Sequence, residues 1–143
     1  MNQNYDAIII GAGVIGAAIS FELAKKGWKT LNVDKNPTSG YGSTSASCAI
    51  IRVHYSTFDG CAIAYEGYHY WKEWSKYLED FDKKSLAKFI DCGCMIYRTE
   101  DNNYLEKIIS RADELSIPYE LWDPKKIKSM LPIVDVKKYQ PDK

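Results

Sequence analysis

The sequence predicts an α/β protein that opens with a strand–helix–strand unit, and three observations predict this class. An apolar run at residues 6–10 shows no polar alternation, which is typical of a strand buried in a parallel sheet, and a second hydrophobic run follows at residues 29–33. Three spaced glycines lie between the runs, followed by small residues with helical periodicity. An acid, Asp34, directly follows the second run.

The first predicted strand leads directly into Gly11-Ala12-Gly13-Val14-Ile15-Gly16. In this pattern the first glycine permits a tight turn, the second lets a pyrophosphate approach the backbone, and the third lets the helix press on the strand. The helix is predicted from about residue 13 to residue 26. Its first N–H groups and its positive dipole end favour a phosphate.

Gly27 is predicted to end the helix, and the second strand, at residues 29–33, follows. Asp34 then stands about 20 residues beyond the glycines, where an acid accepts hydrogen bonds from a ribose. The order of these features favours a dinucleotide site over an ordinary glycine-rich turn. The acid disfavours a nucleotide with a 2′-phosphate, but it does not choose between FAD and NAD.

Composition excludes several other kinds of partner. Nineteen basic residues balance nineteen acidic ones, so no strong field gathers nucleic acid or an anionic membrane. The apolar stretch at residues 7–19 is shorter than the ~20 residues of a membrane span. The opening residues lack the pattern of a secretory signal, so we expect a cytoplasmic protein.

Four cysteines, at positions 48, 61, 92 and 94, show neither a disulfide framework nor zinc-ligand spacing. We therefore expect reduced, partly buried thiols and no metal. If residues 92–94 were a strand, the two thiols there would face the same way, which does not suit a strain-free disulfide between them.

Residues 35–47 form a predicted loop rich in Pro, Gly, Ser and Thr, which is either a linker or a segment that bonds cofactor phosphates. The chain then turns apolar at residues 48–55, with Arg52 set inside this stretch. Arg52 and His54 share a parity, so in an extended segment they face the same way.

The remaining chain predicts helices and short strands. A hydroxyl-capped helix is expected from residue 56 to about 80, with an aromatic stripe that is typical of a core and with His69 on the solvent side. Residues 89–98 and 119–122 predict strands, and residues 101–115 predict an amphipathic helix. Asp123 is predicted to cap a last helix at residues 124–130.

Two stretches together resemble a known family. The glycine motif, with its helix to Gly27, and the segment Gly42-Ser43-Thr44-Ser45-Ala46-Ser47-Cys48-Ala49-Ile50-Ile51-Arg52 are similar to the FAD-dependent amine and amino-acid oxidoreductases. This group holds glycine oxidase, D-amino-acid oxidase, sarcosine oxidase and dimethylglycine dehydrogenase. The resemblance is greatest to the beta subunit of heterotetrameric sarcosine oxidase.

The resemblance implies a cofactor, a fold and a chemistry. The cofactor is FAD, and the substrate is a small amine or N-methyl amino acid that gives a hydride to the flavin. Residues 1–83 would begin the FAD-binding domain, Rossmann-like but with an incomplete sheet, and residues 84–143 would begin an α+β substrate domain. Family members are longer, so this chain resembles their N-terminal portion. The missing C-terminal part, or other subunits, are then possible partners.

The resemblance also assigns residues. Arg52 matches an arginine that helps to bind the substrate carboxylate, although it could instead contact the flavin or a nearby carbonyl. His54 is a weaker candidate and is expected to be a partly buried hydrogen-bonding residue. The predicted cofactor contacts are Gly11, Ala12, Gly13, Val14, Ile15, Gly16, Asp34, Lys35, Gly42, Ser43 and Thr44.

Two alternatives stay open at this point. The chain could be a dinucleotide-binding or subunit-interaction piece from a truncated or split protein, without catalysis of its own. It could also be part of an NAD-dependent dehydrogenase, which explains Asp34 equally well but does not explain residues 42–52.

Overall fold

The computed structural model describes residues 4–79, 86–98 and 104–137, in two compact units, Met1–Ile50 and Ile51–Lys143. The domain boundary predicted after residue 83 lies outside the described residues. The division into a cofactor domain and a substrate domain therefore stays a prediction.

The first unit is the predicted strand–helix–strand unit. Its elements are β1 (Ala7–Ile10), α1 (Val14–Lys25) and β2 (Thr30–Val33). The two strands pair in parallel, from Ala7 opposite Thr30 to Ile10 opposite Val33. A parallel pair requires a crossover, and α1 supplies it.

Glycine ends α1 as the sequence predicts. Gly27 has a φ of 81°, in the left-handed region that favours glycine. Its N–H donates to the Ala24 carbonyl at 2.8 Å, and the Trp28 N–H donates to the Leu23 carbonyl at 3.0 Å. These bonds satisfy carbonyls at the helix end, so the chain turns directly into β2.

The sheet is incomplete in the part of the chain that the structure describes. Ile9 is buried, and its Cγ2 lies 3.4 Å from the position that a Cβ on Gly16 would occupy. Side chains alternate across a strand, so Ile8 and Ile10 lie on the opposite face, where they are 64% and 89% exposed. The prediction of a strand buried on both faces is thus met on one face only.

The regular secondary structure described in the second unit is helical. Its helices are α2 (Phe58–Lys72), α3 (Trp74–Tyr77), α4 (Tyr104–Glu114) and α5 (Pro124–Met130). Helix α2 packs against α4, and the residues found buried in the described part of the unit, Cys61, Ile108 and Ala112, lie on these two helices. As predicted, a hydroxyl caps α2: the Thr57 side chain accepts from the Gly60 N–H at 3.3 Å.

The long helix predicted from residue 56 to 80 is interrupted. Glu73, with φ −109° and ψ 36°, separates α2 from the single turn of α3. Stacking continues across the break, because the rings of Trp71 and Trp74 lie 4.3 Å apart. The structure gives no physical reason for the break at this residue, and residue 80 lies outside the described part.

The strands predicted at 89–98 and 119–122 are wrong. Neither segment pairs with a strand among the described residues. A strand needs a hydrogen-bonded neighbour, and alternation in the sequence does not supply one. Gly93 also departs from strand geometry, with a φ of 73°.

The last helix is confirmed at its predicted bounds, and the Asp123 side chain accepts from the Lys126 N–H at 2.7 Å. Helix α4 agrees with the prediction over its described residues, and residues 101–103 lie outside them. Among the helices described, none is both long enough and apolar enough to cross a bilayer.

Candidate functional site

The turn between β1 and α1 has the geometry that its glycines predict. Gly11 has a φ of 110°, which few residues with a side chain adopt. A Cβ on Gly16 would lie 1.9 Å from the Gly11 carbonyl oxygen, so helix and turn are in direct contact there. Gly13 is the N-cap of α1 and has no side chain of its own to cover the helix start.

Asp34 lies against this turn. Its Oδ2 accepts from the Ala12 N–H at 2.7 Å, and its Oδ1 accepts from the Asn36 N–H at 2.8 Å. These two bonds, that of Ala12 first, lower the pKa of the Asp34 carboxyl, so the group is charged at neutral pH. The carboxylate is exposed and keeps acceptor capacity for a further donor.

The small-residue loop folds back on the same turn. The Gly40 N–H donates to the Ala12 carbonyl at 2.8 Å, and the Thr44 Oγ1 accepts from the Val14 N–H at 3.0 Å. The Thr44 hydroxyl also lies 2.9 Å from the position that a Cβ on Gly13 would occupy. The Thr44 hydroxyl oxygen therefore lies at the start of α1, where it satisfies the Val14 N–H, a group that has no partner within the helix.

The structure thus brings together most of the predicted cofactor contacts. Asp34 and Thr44 meet the glycine turn, whereas Lys35, Gly42 and Ser43 lie in the exposed loop beside it. The side chain of Ile15 is exposed and that of Val14 is half-exposed, so their predicted contribution rests on the backbone at the helix start.

Two side-chain hydrogen bonds between α1 and β2 were not predicted. The Ser20 hydroxyl donates to the Asn32 side-chain oxygen, and the Asn32 amide donates to the Gly16 carbonyl at 3.4 Å. The polar Asn32 inside an apolar run was the available signal. Its pairing with Ser20 depends on how the helix sits on the strand, which the sequence does not state.

Arg52 and His54 belong to the second unit, where both line one cavity of about 280 Å³. The Arg52 guanidinium lies 4.7 Å from the centre of the Tyr55 ring. A hydrogen bond with the Tyr55 side chain, and then charge interaction with it, raise the pKa of Arg52. Burial, and then the charge of Arg52, lower the pKa of His54, so its imidazole is neutral at pH 7. That both side chains face one way stays a prediction, because Ile51 and Val53 line the same cavity.

A polar cluster at this cavity was not predicted. The Tyr68 hydroxyl donates to the Asp91 carboxylate at 2.7 Å, and Lys72 Nζ lies 3.5 Å from the same carboxylate. The sequence predicted an aromatic stripe on this helix, but no pairing of it with an acid. Asp91 lies 23 residues from Tyr68, and no local pattern links them.

His69 is exposed as expected, although the centre of its ring also lies 4.6 Å from that of Tyr65.

The cysteines differ in exposure. Cys61 is only 1% exposed, and its Sγ exchanges hydrogen bonds with the Tyr55 backbone at 3.1 Å. Cys48, Cys92 and Cys94 are exposed, which corrects the expectation of partial burial. Within residues 4–79, 86–98 and 104–137, no set of three histidine, cysteine or acidic side chains is placed to bind a metal ion.

The first unit therefore has the features of a dinucleotide-binding βαβ unit: parallel strands, a glycine turn at a helix start, and an acid bonded to that turn. Comparison with known families is more specific. Residues 6–141 match the DAO family, described as FAD dependent oxidoreductase, and the chain belongs to this family. The family resemblance seen in the sequence and the predicted cofactor, FAD, are confirmed.

Two of the relatives that match this chain are oxidases by name. The chain is 45% identical over 51 residues to glycine oxidase of Geobacillus kaustophilus, which covers 36% of this chain and 13% of the relative. It is 29% identical over 131 residues to monomeric sarcosine oxidase of a Bacillus species, covering 89% of this chain.

A third relative has another kind of name. The chain is 24% identical over 130 residues to the mitochondrial pyruvate dehydrogenase phosphatase regulatory subunit of Mus musculus, covering 90% of this chain and 14% of the relative. The chain spans about a third of the sarcosine oxidase, 32%, and less of the other two.

Proposed function

We propose that this chain forms the N-terminal part of an FAD-dependent oxidoreductase that oxidises a small amine or N-methyl amino acid of the sarcosine, dimethylglycine or glycine type. The observation that carries the proposal is the Asp34 carboxylate bonded to the glycine turn, in a chain of an FAD-dependent family. The substrate class is supported by relatives named sarcosine oxidase and glycine oxidase.

The proposed cofactor contacts divide by chemistry. Within residues 11–16, the first turn of α1 offers N–H groups and a helix dipole to the diphosphate. Asp34, which holds the Ala12 N–H, accepts from the ribose. Lys35 adds a positive charge beside Asp34, and the loop residues Gly42, Ser43 and Thr44 offer small groups beside the helix start. Thr44 supports this assignment because its hydroxyl accepts from the Val14 N–H and therefore lies at the start of α1.

FAD, when bound, supplies an acceptor for the hydride on the carbon beside the substrate nitrogen. The task proposed for Arg52 is to hold a substrate carboxylate. Its planar guanidinium matches a carboxylate in two parallel hydrogen bonds, and its raised pKa keeps it charged. The neutral His54, in the same cavity, offers a hydrogen bond without a competing charge.

A second function remains in competition. One relative is, by its name, a regulatory subunit, and the chain spans only about a third of the sarcosine oxidase and 14% of that regulatory subunit. The name of that relative favours a cofactor-binding or subunit-interaction piece without catalysis of its own. An NAD-dependent dehydrogenase is disfavoured by the FAD dependence of the family.

One preparation separates these functions. The purified chain is examined for a bound yellow chromophore, and then assayed with sarcosine, dimethylglycine and D-amino acids in the presence of a dye acceptor. Colour with turnover supports the oxidoreductase, and colour without turnover supports the non-catalytic piece. A chain that takes up NAD but no flavin contradicts both.

A further inference from the structure

The segment Cys92-Gly93-Cys94 places two thiols, two residues apart in sequence, at one cavity of the second unit. Both side chains are exposed, and both line the same cavity. Each thiol makes a long, local hydrogen bond: the Cys92 thiol donates to the Gly93 carbonyl at 3.6 Å, and the Cys94 thiol donates to the Met95 carbonyl at 3.9 Å. These thiols are therefore accessible and weakly held.

The backbone between them is not that of a strand. In a strand, residues two apart point the same way at a separation near 7 Å, beyond the usual range of about 4.4–6.8 Å for disulfide Cα atoms. Gly93 has a φ of 73°, outside the strand region, and a side chain at this position would meet no atom within 4 Å. The obstacle that a strand poses to a disulfide is thus removed.

The surroundings also suit thiol chemistry. Arg52 lines the same cavity, and its guanidinium is close enough to Cys94 for the two to interact electrostatically. Positive charge and exposure are the usual surroundings of reactive cysteines, whereas the buried Cys61 is held by backbone bonds.

We propose that Cys92 and Cys94 form a redox-active dithiol that exchanges with small organic disulfides. The Cys94 thiolate attacks one sulfur of the disulfide, forming a mixed disulfide and releasing one thiol. The Cys92 thiolate then attacks the Cys94 sulfur, forming the Cys92–Cys94 bond and releasing the second thiol. The two cysteines lose two hydrogens in total, and the organic disulfide is reduced to two thiols.

Oxidised glutathione and tryptic mapping test this proposal on the full chain. Trypsin cleaves after Lys88 and Arg98, so Cys92 and Cys94 leave on one peptide, apart from those with Cys48 and Cys61. After treatment with oxidised glutathione and blocking of remaining thiols, we expect this peptide to be unblocked and lighter by two hydrogens than its dithiol form. Recovery as a blocked dithiol, with two glutathione adducts, or cross-linked to another peptide would overturn the proposal.

Variants distinguish the order of the two steps. Cys92→Ser removes the resolving thiol, so we expect one trapped glutathione adduct on Cys94 and complete loss of the internal disulfide. Cys48→Ser, which changes an exposed thiol in the other unit, serves as the matched control and is expected to leave the disulfide yield unchanged. An unmodified Cys94 in the Cys92→Ser chain would contradict the proposed attack.

Discussion

At the scale of single residues, Asp34 joins the end of β2 to the glycine turn. The acid and the turn lie 22 positions apart in sequence, yet one carboxylate oxygen accepts directly from the Ala12 N–H. The backbone donors that lower the pKa of this carboxyl also orient it. The residue is therefore charged and fixed before any ribose arrives.

Replacing Asp34 by Asn is expected to weaken FAD binding several-fold, because the amide has a similar shape but lacks the charge. Since the pKa of Asp34 is lowered in the folded chain, the stability that this carboxylate contributes to the fold is complete above the ordinary carboxyl pKa of about 3.9 and is lost as pH falls through the folded value. The carboxylate that would accept from the ribose therefore stays charged between about pH 7 and 5. Affinity measured by flavin fluorescence should therefore be flat between about pH 7 and 5. Equal affinities of the variant and the parent chain would contradict the role given to Asp34.

Arg52 is the residue on which the substrate proposal depends. Arg52→Lys keeps the charge but not the planar pair of donors, so we expect KM for sarcosine to rise several-fold with a smaller change in kcat. Arg98→Lys is the control, because Arg98 pairs with Glu106 at 2.8 Å and does not line the cavity. Steady-state kinetics that change equally in both variants would remove Arg52 from substrate binding.

The glycine contacts give opposite predictions for two helical glycines. Gly16→Ala places a Cβ 1.9 Å from the Gly11 carbonyl oxygen, and backbone must shift, so we expect a loss of about 1–3 kcal/mol in the free energy of unfolding. Gly67→Ala in α2 meets open space and should stabilise by about 0.5–1 kcal/mol. Urea titrations followed by circular dichroism measure both, and a neutral Gly16→Ala would show that helix and turn are not in tight contact.

At the scale of elements, local signals were sufficient for the end of α1, the start of α2 and the bounds of α5, but not for the break at Glu73. Gly27 ends α1, Thr57 begins α2, and Asp123 with Pro124 begins α5, each through contacts with residues within four positions. The strands predicted at residues 89–98 and 119–122 were wrong, because strand pairing depends on residues that are far away in the sequence. The Tyr68–Asp91 bond was missed for the same reason.

The α2 cap is open to direct test. Thr57→Ala removes the acceptor of the Gly60 N–H, and a lost cap of this kind costs about 1 kcal/mol. Thr57→Ser keeps a hydroxyl at the same atom and should retain most of the stability. Urea denaturation of both variants measures the difference, and identical midpoints for the two would mean that the hydroxyl does not cap the helix.

At the scale of the whole molecule, the sequence predicted the class of the first unit, because a βαβ unit is specified by a short continuous stretch. The cofactor was predicted by the resemblance to a known family and not by this pattern. The sequence did not predict which side chains meet in the second unit, where Arg52, Tyr68 and Asp91 come from segments with no shared pattern. The exposure of Ile8 and Ile10 was also not predictable from this stretch. A parallel strand is covered only where other parts of a protein pack on it, and the two strands described do not supply that cover.

The central claim is that an FAD diphosphate binds at the turn from β1 to α1. Amide NMR spectra of the 15N-labelled chain, titrated with FAD, ADP and FMN, test it most directly. The account predicts that FAD and ADP shift the N–H signals of Ala12, Gly13 and Val14, whereas FMN, which lacks the adenosine half, leaves them nearly unchanged. FAD that shifts no amide of this turn, or that shifts only amides elsewhere in the chain, would contradict the account.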